Sequence, residues 1–234
     1  MFSTNGEANE AFGAWSKDYV LFLHITSYVY EDKNHDLFSH RGGFGYPYLA
    51  FLDDTGQLLS QVKARDLHGL AAAAEAARKL QAVRAKADQG DNAAAVQLFR
   101  QRLEMDGLSF PEAKATYARL REFIAADARP GVEQLITNRE ISGALDRLRE
   151  EHGRDMRKFL PATAAEYFRA GKVPTNRLAG FYFDAVLQHA QSSDDIELAR
   201  AALAKAEAFY GDDPGAQRTL KSFRAKLEAM TKGG

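Results

Sequence analysis

The chain has 234 residues, 45% hydrophobic and 27% charged, with a formal net charge of −1 and no cysteine. Such a composition builds one large or two small packed domains, and its balanced charge argues against a nucleic-acid partner. The lack of thiols excludes disulfides, thiolate metal sites and thiol–disulfide exchange by this chain itself. No apolar run reaches the ~20 residues of a membrane span. Met1 to Lys17 lacks the basic start and apolar core of a leader, so the cytoplasm is the expected location.

In chain order, Glu7 to Trp15 predicts a short helix with Ala8, Ala11, Phe12 and Trp15 on one face. Trp15, the sole tryptophan, reads as an anchor between that helix and a sheet. Tyr19 to Thr26 is nearly continuous apolar, β-branched and aromatic, the pattern of a strand covered on both faces, with His24 a core histidine inside it. Ser27 to Asn34 is a polar and aromatic loop. Its Tyr28, Tyr30, Glu31 and Asp32, with His35 beyond, lie where ligands collect in open α/β sheets. The spacing of Asp32, His35, Asp36 and His40 matches no metal-ligand motif. Arg41-Gly42-Gly43-Phe44-Gly45 lacks the Lys-Ser/Thr of a phosphate loop.

Gly45-Tyr46-Pro47 then leads into an apolar strand, Tyr48 to Leu52. Asp53-Asp54-Thr55-Gly56 is a turn signal, and Leu58, Leu59 and Val62 begin a second strand, so the pair predicts a β-hairpin. From Asp66 the period changes to 3.6. Leu67 to Ala87 reads as a helix with a narrow alanine-rich face.

Taken in this order, Gly45-Tyr46-Pro47, strand, Asp53-x-x-Gly56, strand and helix resemble the second half of a thioredoxin-fold domain. The resemblance covers roughly the first third of the chain. It implies that Pro47 is cis and faces a substrate peptide, with Gly45, Tyr46, Pro47 and Tyr48 lining the groove. The chain departs from that family in one decisive way. It begins about where the family's catalytic helix ends, and the Cys-x-x-Cys segment is missing.

Everything after Gln89 reads as helix. Segments are expected over Asp91–Leu103, from the Ser109 cap to about Ala126 with Arg129-Pro130-Gly131 as a breaker, and over Asn138–Glu151. Others are expected between Pro161 and Gly171, and over Asn176–Gln191, Ile196–Tyr210 with Ser193 or Asp194 as cap, and Gly215–Met230. Gly90 to Val96, and Ile196 through Tyr210 to Pro214, resemble tetratricopeptide-type (TPR) helical hairpins, without a strict repeat period.

The expected fold is therefore an α/β, partial thioredoxin-like domain over residues 1–88, followed by an all-α, TPR-like domain over 89–234. Glu150-Glu151-His152 and Asp194-Asp195 are neighbours that diverge around a helix and form no dyad. No Gly-x-Ser-x-Gly, His-Glu-x-x-His or dinucleotide fingerprint is present, and no cofactor is expected. The leading functional expectation is a redox-inactive protein that recognises a protein or peptide non-covalently at Gly45–Tyr48. A second copy covering an exposed sheet edge is a further expected partner. One alternative is a piece of a thiol–disulfide oxidoreductase with Cys-x-x-Cys upstream of Met1. Another is a glutathione-transferase-like enzyme, a family that also joins a thioredoxin fold to helices.

Overall fold

A computed structural model describes residues 6–21 and 48–232. The chain forms two compact units. Of the described residues, the first takes those up to 108 together with 115–125, and the second takes 109–114 and those from 126 onward. The boundary expected at residue 88 falls inside the first unit.

The first unit contains α1 (Gly6–Trp15), the hairpin β1 (Ala50–Leu52) and β2 (Leu58–Gln61), α2 (Leu67–Asp88) and α3 (Asn92–Glu104). The hairpin is antiparallel as expected, with Ala50 opposite Gln61, Phe51 opposite Ser60 and Leu52 opposite Leu58, and a bulge beside Phe51. Gly56, with φ of 74°, makes the tight return that a Cβ would disfavour. Tyr19–Leu21, expected to open a strand, are not in one. They follow a 3₁₀ turn over Ser16–Asp18, and the remainder of that expected strand, His24 and the 27–47 segment lie outside the described residues.

Asp66 caps α2 by accepting from the Gly69 N–H at 2.7 Å, and Asp91 caps α3 by accepting from Ala94 at 3.0 Å. The predicted alanine face is present. Ala73, Ala74 and Ala77 are buried with Leu70 and Leu80, and these small side chains let α2 approach the hairpin closely. Buried Ser60 donates to the Ala73 carbonyl at 2.7 Å, joining β2 to α2. Leu59, Ala77 and Leu80 form a core cluster to which Phe51, Leu98 and Met105 are added.

Helix α4 (Phe110–Leu120) crosses the division between units. It opens on the expected Ser109 cap, here part of a capping box, with Ser109 donating through N–H and Oγ to the Glu112 carboxylate at 2.8 and 2.7 Å. It stops at Leu120 and passes into a 3₁₀ turn, Arg121–Phe123, instead of running to Ala126.

The second unit holds α5 (Arg129–His152), α6 (Met156–Arg169), α7 (Ala179–Ser192), α8 (Ile196–Tyr210) and α9 (Gln217–Lys232), each packed on the next. Two expectations are corrected. Arg129-Pro130-Gly131 opens α5 nine residues before Asn138, because proline in the first turn has no donor to lose. Pro161 lies inside α6. The helical donor it removes would have served the carbonyl of Arg157, a residue exposed to solvent, which is where a lost donor costs least. The cap of α8 is Asp195, which accepts from Leu198 at 2.9 Å, while Asp194 takes a positive φ of 54°. The core is built from Ile141, Leu160, Ala165, Phe183, Val186, Ala202, Leu220 and Phe223 with their neighbours.

The connector between α6 and α7 is held from both sides. Buried Asn138 of α5 accepts from the Thr175 N–H at 2.9 Å, and Gln134 donates to the Val173 carbonyl at 2.8 Å. Tyr182 donates to the Lys172 carbonyl at 2.6 Å, and Lys172 donates to Glu140 at 2.6 Å. Burial of the Tyr182 phenol, followed by the influence of Tyr167, pushes its pKa well above the usual tyrosine value.

Candidate functional site

The site begins with a sequence spacing. Phe12, Trp15 and Tyr19 fall three and four residues apart across α1 and the turn that follows it. Trp15 and Tyr19 stack with ring centres 4.4 Å apart, and Phe12 lies 6.0 Å from Trp15. Phe51 of β1 meets both from the hairpin, edge-on to Trp15 at 6.2 Å and to Tyr19 at 5.4 Å. Edge-to-face contacts of this kind suit the positive ring edge and negative ring face. Trp15 therefore does join its helix to the sheet, but it is half-buried and forms a wall more than a core.

These four rings line a cleft of about 650 Å³, together with Leu49, Leu52, Val62 and Leu70. Val20 and Leu21 also line it, and they are 97% and 62% exposed. Large apolar side chains left in water beside an aromatic cleft mark a surface suited to an apolar partner.

Asp53 lines the cleft and fixes the hairpin turn beside it. Its side chain is only 3% exposed. Oδ1 accepts from the Thr55 N–H at 2.9 Å, the Thr55 hydroxyl at 2.6 Å and the Gln57 N–H at 2.8 Å, and Oδ2 accepts from the Arg84 guanidinium of α2. Gln57 in turn accepts from Arg102 of α3 at 2.6 Å. Burial alone would push the Asp53 pKa up. The Thr55 hydroxyl, the Gln57 and Thr55 N–H groups and the Arg84 charge outweigh it and hold the carboxyl below its ordinary value.

A carboxyl with a depressed folded-state pKa adds stability above its unfolded pKa, and that stability is lost as pH falls through the folded value. Asp53→Asn removes the charge and one set of acceptor geometry, and we expect it to cost about 2 kcal/mol at neutral pH. Urea titrations at neutral pH and near pH 3 check this, since the difference between wild type and variant should shrink in acid.

Of the sequence-predicted residues, Tyr48 is half-buried and immediately precedes Leu49 of the cleft wall. Gly45, Tyr46 and Pro47 lie outside the described residues, as does the Asp32–His40 stretch. No sequence motif marks the aromatic wall of Phe12, Tyr19 and Phe51 as a site. Its signal was the shared helical face of Phe12 and Trp15, and only the fold brings Phe51 to it. Among the described residues no cluster of His, Asp or Glu has the makings of a metal site, and no described helix is long and apolar enough to cross a membrane.

Comparison with family models, with curated proteins and with solved structures finds no match for the chain.

Proposed function

We propose that the chain is a redox-inactive, thioredoxin-like domain joined to a TPR-like helical region, and that it acts by non-covalent recognition of an extended protein segment. The carrying observation is the aromatic cleft beside β1, with Val20 and Leu21 exposed at its edge. The hairpin closed by Asp53-Asp54-Thr55-Gly56 and followed directly by α2 supports the thioredoxin-like part of the reading. The packed pair α8 and α9, joined through the turn at Asp213-Pro214, supports the TPR-like part. Within the described sheet β1 pairs only with β2, and an extended peptide can add to such a strand while its side chains enter neighbouring pockets. With no cysteine in the chain, such recognition proceeds without a mixed disulfide.

Because Trp15 is the only tryptophan and lines the cleft, its fluorescence reports the site directly. Titration with short extended peptides carrying a central aromatic residue should shift the Trp15 emission saturably. Phe51→Ala should weaken that binding by about tenfold or more, the usual consequence of truncating an aromatic anchor. Unchanged emission across such peptides, with the protein folded, would reject the proposal.

A further inference from the structure

The charged groups around the cleft point to the chemistry of its partner. Three aspartates line it, Asp18, Asp53 and Asp54, and no lysine, arginine or histidine stands among its described lining. Asp53 is already neutralised by Arg84 and committed to the turn. Asp18 and Asp54 are exposed, and among the described residues neither side chain has a hydrogen-bonding or ionic partner. The described lining thus combines apolar aromatic walls with two exposed carboxylates that no described side chain pairs.

We infer that the preferred partner is an extended protein segment in which a large apolar side chain lies next to a lysine or arginine. This rests on the reading of the cleft as a recognition site and adds to it the class of sequence recognised. The apolar side chain fills the space between Trp15, Tyr19 and Phe51, and the neighbouring cation meets Asp18 or Asp54 in water. A rim contact of this kind adds little to affinity by itself. It acts through discrimination, because an acidic neighbour in the same place is repelled.

The test uses the full chain and three peptides identical except at the residue after a central phenylalanine, which is lysine, glutamine or glutamate. Trp15 fluorescence gives each dissociation constant at low and at high salt. The expected order of affinity is lysine, glutamine, glutamate, with about threefold between successive peptides at low salt and less at high salt. In the Asp18→Asn, Asp54→Asn double variant the lysine and glutamate peptides should bind alike. Equal binding of all three peptides to the wild-type protein would overturn this inference while leaving the recognition site standing. Binding of none would overturn both.

Discussion

Gly69→Ala should lower the unfolding free energy by about 2–3 kcal/mol, although alanine is the better helix former by about 1 kcal/mol. Gly69 is the third residue of α2, and its N–H is held by the Asp66 cap. A Cβ placed there would sit 2.0 Å from the carbonyl oxygen of Ala64 and 2.7 Å from its carbon. Both are backbone atoms, so relief requires the lead-in to α2 to move away from the helix. Gly131 provides the internal comparison, since it too is the third residue of its helix, α5, and a Cβ there meets nothing within 4 Å. Gly131→Ala should therefore gain about 0.5–1 kcal/mol, from helix propensity and the smaller entropy of the unfolded chain. Urea unfolding followed by Trp15 fluorescence reads the first substitution, and far-UV circular dichroism reads the second. Two gains, or two losses, would show that the close approach at Ala64 does not govern the outcome.

Phe183→Ala should cost about 3–5 kcal/mol, the range for deleting a fully buried aromatic side chain and leaving its cavity. Phe183 is 0% exposed in the middle of α7 and packs with Phe209 at 6.3 Å between ring centres. Phe181, two residues away on the same helix, is 47% exposed. Its replacement by alanine should change stability by only about 0.5 kcal/mol. Thermal melts by far-UV circular dichroism of the two variants test the assignment of faces on α7. Similar losses from both would mean that the outward face of this helix is covered by something else.

The sequence carried the local parts of the fold well. Asp66 and Asp91 precede helical periods as side-chain caps, and α2 and α3 were located to within about a residue. The Asp53–Gly56 turn was legible because aspartate bonds its own backbone ahead and glycine permits positive φ. Proline alone does not mark a helix boundary. Pro130 starts a helix, and Pro161 is tolerated within one because the carbonyl it strands belongs to an exposed residue. Of the apolar run from Tyr19, Tyr19 joins the aromatic cluster while Val20 and Leu21 are exposed, and apolar character by itself does not tell a buried strand from the apolar edge of a cleft. Long-range pairings could not be read at all. In the site Asp53 meets Arg84 across 31 residues, in the second unit Asn138 meets Thr175 across 37, and no local pattern encodes either.

The connector over residues 170–178 shows what those distant pairings do. In sequence it looks like an ordinary break between helices, the kind of place where a protease cuts or an insertion is tolerated. Yet its Lys172 and Val173 carbonyls and its Thr175 N–H are all engaged by side chains of α5 and α7, and Pro174 is fully buried. Nicking there requires the helices around it to come apart first, so the segment is as resistant to cleavage as they are. The turn from Gly211 to Gly215 is the opposite case. It is exposed throughout, and its backbone hydrogen bonds reach no further than the last turn of α8 and the residue that follows. A permuted or tagged version of this chain would be opened at that turn, where the backbone gives up only local bonds.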